Sequence, residues 1–315
     1  MTKINPLRLA ILMVVCFSLS ACKAIEILRF KAPDAIVSKD VASSGAEHNK
    51  PAEKKTYSDS SVLPNEPDNV SVSSAQKSEK TETELIFNRN FASCSGRVSY
   101  AYHNYESGES FTHNSQRMKS ASVIKLFIME YAYSLIESGE LLPDTPVSGS
   151  RVSALIESMI TVSDNNATNA LISYFTMDKL NAYFADSGYS DTSLGRKMLD
   201  FEAQKKGNDN FTSANDVMKF LNKLYSNKDK SPYSDMLDVL SRQKISTKIR
   251  RDMPANVKIC NKTGELSDVE NDAGIVFTEN GDFAVVFIVN SSDSGNVQNI
   301  IAKTTRRLYD DIIKN

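Results

Sequence analysis

Residues 120–130 read Ser-Ala-Ser-Val-Ile-Lys-Leu-Phe-Ile-Met-Glu, and a helix that is apolar all round is a buried one. The pattern runs to about Ser138, where Gly139 supplies a stop. Upstream, 85–91 predicts a short helix, 96–102 alternates as a strand, and Ser107-Gly108 turns the chain into a second strand at 110–113. From 141 to about 253 the periodicity is mainly helical, clearest over 152–160, 166–174 and 212–224, the last opening on a Thr-Ser cap. Strands return at 257–263, 273–278 and 283–289, with Asn280-Gly281 as a hairpin turn between the last two. An amphipathic helix over 296–313, with Val297, Ile300, Ile301, Leu308 and Ile312 on one side, ends the chain. Strands, helices, strands, helix predicts one sheet assembled from both ends of the domain, with a helical lobe inserted and the Ser122 helix at the seam.

The first 82 residues do not follow this pattern. Lys3 and Arg8 precede an apolar run over 9–19 that is too short for a comfortable membrane span and fits an export signal. It ends Leu19-Ser20-Ala21-Cys22, which resembles a bacterial lipobox and implies a lipid anchor on Cys22. Residues 23–82 are rich in Ser, Lys, Glu, Asp, Asn and Pro, a composition that cannot bury enough surface to order itself. A tether of about 60 residues reaches on the order of 40 to 45 Å from its anchor. The expectation is therefore a signal with lipobox at 1–22, a linker at 23–82 and a folded domain at 83–315, exported and held at the bacterial membrane.

Composition removes several classes of function. A net charge of −2, with no basic patch, argues against nucleic acid as a partner. No phosphate-binding glycine loop or internal repeat is present, and His48, His103 and His113 lack ligand spacing with the cysteines, so neither metal nor cofactor is implied. Cys94 and Cys260 are the thiols of the domain; they could pair in an oxidising compartment, but two buried free thiols is the favoured reading.

The chemistry begins at Ser122 and Lys125. A hydroxyl at the first turn of a helix lies where backbone N–H groups and the helix dipole stabilise an oxyanion. Lys125, three residues on, shares its face, and its apolar neighbours lower its pKa into the range of a base at neutral pH. Such a pair activates a nucleophile without histidine. The spacing alone is unspecific, since Ser74/Lys77 and Ser241/Lys244 repeat it in polar surroundings.

Two further motifs follow in order: Ser163-Asp164-Asn165 before a helix, and Lys262-Thr263-Gly264 at the end of a strand. Ser-x-x-Lys, Ser-Asp-Asn and Lys-Thr-Gly in this order resemble the class A β-lactamases and penicillin-binding proteins, over roughly 95–315. The resemblance implies an α/β fold of the β-lactamase/transpeptidase type. An antiparallel sheet flanked by helices (83–121 and 254–315) would join an all-helical lobe (122–253). It also implies roles. Ser122 attacks an amide carbonyl, Lys125 takes or relays its proton, and Ser163 protonates the leaving nitrogen. Asn165 holds the substrate's side-chain amide, and Lys262 and Thr263, with Gly264 beside them, hold its carboxylate. The N–H groups of Ser122 and Glu265 form the oxyanion hole.

One position departs from the pattern. Where class A enzymes carry the glutamate that activates the deacylating water, two residues after an arginine, this chain has Arg196-Lys-Met198. A thioether is no base. Asp200 or Glu202 could substitute if the loop is re-registered, and Arg196 could close the loop on Asp209. The short Ser122 to Ser163 interval also trims the helical lobe. The expected protein is a monomeric lipoprotein serine hydrolase, acylated by β-lactams and hydrolysing them, at a rate that loss of the glutamate would reduce. The alternatives are a D,D-peptidase acting on peptidoglycan stem peptides and a wall-binding or sensing lipoprotein without turnover.

Overall fold

The computed structural model describes residues 80–314. The expected export signal, the lipidation site Cys22 and nearly all of the expected linker lie outside the described residues. The linker's expected end shifts slightly, because Thr81 already caps helix α1 (Glu82–Phe91) by accepting from Glu84 N at 3.1 Å.

Strands β1 (Arg97–Asn104) and β2 (Ser110–His113) form the first hairpin, and β3 (Met118–Lys119) leads into a 3-10 turn (Ala121–Ile124) and helix α2 (Lys125–Glu137). Gly139, at φ +76°, ends α2 as its position predicts. A two-residue ladder, β4 (Pro146–Val147) with β5 (Ser150–Arg151), precedes α3 (Val152–Thr161), α4 (Asn165–Phe175), α5 (Met177–Asp186) and α6 (Phe201–Lys205). After β6 (Phe211–Thr212), which pairs with β3, come α7 (Ala214–Ser226) and α8 (Tyr233–Ser241). The chain closes with β7 (Ile259–Leu266), β8 (Val269–Val276), β9 (Phe283–Asn290) and α9 (Ser294–Lys314). The inserted stretch is thus helical apart from short ladders, and it includes α5 and α8, which the apolar periodicity did not resolve.

One antiparallel sheet in the order β2-β1-β9-β8-β7 unites both ends of the domain, as expected from the order of elements. Its strands alternate between two cores. Tyr100, Tyr102, Phe283, Val285, Phe287 and Val289 pack with Phe87 and Phe91 of α1 and with Val297, Ile301 and Leu308 of α9. Ala101, Ala284, Val286 and Ile288 turn to the other face, toward Phe127, Met129 and the rest of the helical lobe. Burying both faces explains why β9 reads as a continuous apolar run.

Strand β8 begins four residues before its expected start at 273. Glu270, Asn271 and Asp272 occupy the extension and are 3%, 0% and 0% exposed, an unusual polar run for a buried strand. Both cysteines are free: Cys260 is buried, as expected, whereas Cys94 is half-buried. Burial raises the Cys260 thiol to about 12, which leaves it inert.

Candidate active site

Ser122 lies in the 3-10 turn rather than in the first α-turn, and the N–H of Lys125 closes onto the Ser122 carbonyl as α2 begins. Val123 and Ile124 are buried beside it, while Ser122 itself is half-buried. The residue before it, Ala121, has φ +45°, a conformation that costs a non-glycine residue roughly 1–2 kcal/mol. The surroundings impose it. Ser120 N donates to Asn210 O at 2.9 Å, and Asn271 Nδ2 donates to Lys119 O at 2.9 Å and to Ser120 O at 3.1 Å. On the facing strand β7, Gly264 comes so close that a Cβ there would lie 2.9 Å from Ser120 O and 3.1 Å from both Ser122 N and Val123 N.

The three motifs converge on one oxygen. Lys125 Nζ donates to Ser163 Oγ at 3.1 Å, to Ser163 O at 2.8 Å and to Asn165 Oδ1 at 2.9 Å. Lys262 Nζ donates to the same Ser163 Oγ at 3.0 Å and to Thr263 O at 2.8 Å. Ser163 is held in this position by a left-handed backbone, φ +58°, and Asp164 caps α4 behind it by accepting from Asn166 N and Ala167 N. An ammonium has donors only, so two of them on Ser163 Oγ turn its own hydrogen elsewhere. Among the described residues no hydrogen bond joins the side chains of Ser122 and Lys125. All three ammonium protons of Lys125 have acceptors already.

Burial sets the charge state of this cluster. Both lysines are 0% exposed. Desolvation lowers Lys125 to about 7, with the Asp164 charge opposing it, so the neutral amine is abundant at neutral pH. Burial, and after it the charge of Lys125, pushes Lys262 well below the usual lysine range, with Asp272 opposing. The neutral form of Lys125 is therefore accessible near neutral pH, and it carries a lone pair beside Ser163.

Helix α4 links this cluster to the 196–202 loop. Asn165 bonds Lys125, and one turn later on the same face Asn169 clamps the backbone of Met198, accepting from its N–H at 2.8 Å and donating to its carbonyl at 3.0 Å. Arg196 Nε meets Asp209 Oδ1 at 2.8 Å in a buried ion pair, as expected, and Gln204 holds the other Asp209 oxygen. Met198 is buried, and the next residue, Leu199, has φ +63°. The two carboxylates considered as substitutes are committed elsewhere. Asp200 caps α6 through Ala203 N at 2.9 Å, and Glu202 pairs with Lys205 at 2.8 Å, its side chain 76% exposed. Neither hydrogen-bonds to Ser122, Lys125 or Ser163.

Thr263 is buried beside Lys262, and Glu265, on the same strand, has its carboxylate on Lys248 and Thr247. Sequence reasoning missed Lys248, which is 0% exposed, and Asn271, which holds the Ser120 backbone. Asn271 also accepts from Val289 N at 2.9 Å, so one side chain ties two strands to the segment that carries Ser122. The signal in the sequence is the Glu-Asn-Asp run before 273, which belongs to a strand whose polar groups support the site.

A profile of the beta-lactamase enzyme family matches residues 82–312. No curated protein matches the chain. Among solved structures, a β-lactamase from Sphaerobacter thermophilus is similar at 25% identity and a TM-score of 0.64, over 74% of this chain and 97% of that one. PBP-A is similar at 23% identity and 0.65, over 74% and 96%. A class A β-lactamase representative from Bacteroides cellulosilyticus gives 19% and 0.65, over 74% and 98%. These neighbours share the antiparallel sheet flanked by helices, and with the family profile spanning nearly all of the folded domain, the chain belongs to the beta-lactamase enzyme family.

Proposed function

We propose that this protein is a serine hydrolase that β-lactams acylate at Ser122 and that releases the acyl group slowly. The observation that carries this reading is the meeting of Lys125 and Lys262 on Ser163 Oγ. Neutral Lys125 takes the proton of Ser122 as its oxygen adds to the lactam carbonyl. The N–H groups of Ser122 and Glu265 receive the developing oxyanion. Ser163, its hydrogen turned away from two ammonium groups, passes a proton to the leaving nitrogen as the C–N bond breaks, and Lys125 restores it. Lys262 and Thr263 suit a substrate carboxylate, and Asn165, whose Oδ1 is taken by Lys125, has its amide N–H groups for a substrate carbonyl.

Slow release follows from the loop. Water needs a base to attack the ester, and Met198 offers none where the family pattern has glutamate. A leucine-to-glutamate variant of the similar PBP-A was solved as an acyl-enzyme with penicillin G, an acylation that this reading shares. The same missing base favours a second reading, a D,D-peptidase acting on peptidoglycan stem peptides whose acyl-enzyme is normally resolved by other means. Export and anchoring through Cys22 rest on the amino-terminal sequence.

Mass spectrometry of the protein mixed with a penicillin, alongside steady-state hydrolysis of a chromogenic cephalosporin, tests the assignment. A long-lived adduct on Ser122 with slow turnover is the expected result. Rapid turnover without a stable adduct makes the protein an efficient β-lactamase despite Met198. No adduct at all sinks acylation and leaves a binding protein.

A further inference from the structure

Few large apolar side chains face water among the described residues, and three of them flank the residues of the site. Val162, immediately before Ser163, is 47% exposed, and Leu199 and Phe201, just after Met198, are 57% and 54% exposed. A single exposed apolar residue is ordinary on a protein surface. Leu199 and Phe201 differ in being presented together, by backbone that is fixed in place.

Asn169 clamps Met198 through both of its backbone groups, and Lys197 Nζ donates to Ser173 Oγ of α4 at 2.7 Å. Asp200 N donates to Lys197 O at 3.3 Å and Phe201 N to Leu199 O at 3.0 Å. The second of these bonds closes an inverse γ-turn on Asp200, at φ −79° and ψ 81°. Asp200 then caps α6, while Leu199 holds φ +63°, a strained conformation for a bulky side chain. Hydrogen bonds and strain are thus used to hold two large apolar groups in water, which gains nothing for stability. Strain kept in this way points to a role in binding.

Helix α4 relates these side chains to the reacting centre. Asn165, whose amide N–H groups suit the carbonyl of a donor's side-chain amide, precedes Asn169 by four residues, a rise of about 6 Å along one face. A group carried beyond that carbonyl is therefore within reach of the segment that follows Met198.

We propose that Leu199 and Phe201 form an apolar shelf for the acyl side chain of the donor, so that Ser122 is acylated preferentially by donors with an aromatic or bulky apolar side chain. The inference rests on acylation at Ser122 and on the role of Asn165, and adds a determinant of which donors succeed. Partial burial of one phenyl ring on the shelf favours acylation by about three- to tenfold.

The test compares acylation of the full chain by benzylpenicillin and by 6-acetamidopenicillanic acid, which share nucleus and carboxylate and differ in a phenyl group. The parent should prefer benzylpenicillin. In Leu199→Gly that preference should fall about three- to tenfold, through binding rather than the maximal rate, while the melting temperature holds or rises because glycine adopts φ +63° freely. Phe201→Ser should lower the preference too, Leu199→Met should keep it, and Leu142→Ser, at an exposed leucine outside both elements, should leave it unchanged. No preference in the parent, an unchanged one in Leu199→Gly, or an equal fall in Leu142→Ser overturns the shelf while acylation stands. No adduct from either donor in the parent overturns both.

Discussion

The turn at 120–125 and the loop at 196–202 are both reached by helix α4, through Asn165 and Asn169, and they treat polar side chains in opposite ways. Around the turn, polar groups from three separate elements are drawn to one hydroxyl, and strain at Ala121 and Ser163 is tolerated to keep them there. Around the loop, each carboxylate serves the architecture: Asp209 holds Arg196, Asp200 caps a helix and Glu202 pairs with a surface lysine. Burial and strain in the first region hold a lysine of lowered pKa against Ser163. The second region is equally well ordered, and its carboxylates are bonded within the loop rather than toward Ser122.

The sharpest way to break this contrast is Ser122→Ala. Loss of the attacking oxygen should abolish the penicillin adduct and reduce acylation at least about 10³-fold; an adduct that persists by mass spectrometry would place the nucleophile elsewhere. Next is Met198→Glu, which puts a carboxylate where Asn169 already fixes the backbone. Deacylation should accelerate about 10²-fold with acylation little changed, read as adduct lifetime, and an unaltered lifetime would reject the loop's assignment.

A pH profile comes third. Because burial lowers Lys125 to about 7, acylation should climb up to tenfold per pH unit below that value as the amine loses its proton, then level off. A flat profile from pH 5 to 8 would remove Lys125 as the base. The smallest effect belongs to the loop carboxylates. Asp200→Ala should cost about 1 kcal/mol of stability as a lost cap, and Glu202→Gln next to nothing, with adduct lifetimes unaltered in both. A change in either lifetime would bring these residues back into the chemistry.

Much of the first region was legible in the sequence because its chemistry sits at element boundaries that local patterns mark. The apolar helix after Ser122, the cap at Asp164 and the strand carrying Lys262 each show in a short window. The supporting groups were not legible. Asn271 and Glu270 break the apolar pattern that identifies a buried strand, so that pattern starts only at 273. Lys248 belongs to no periodic element, and its partners are 17 and 22 residues away along the chain. The fates of Asp200 and Glu202 also needed coordinates, since a capping carboxylate and a catalytic one are the same letter until the neighbouring N–H groups are known.

Gly264 has a mechanical consequence. With Ser120 O, Ser122 N and Val123 N packed against its bare α-carbon, the edge strand and the nucleophile turn are in backbone-to-backbone contact with no side chain to cushion sliding. Because that contact belongs to the fold itself, the turn that carries Ser122 is expected to loosen together with β7. Heating or denaturant that frees β7 from the sheet removes that contact in the same event, and acylation at Ser122 should vanish together with the sheet rather than ahead of it.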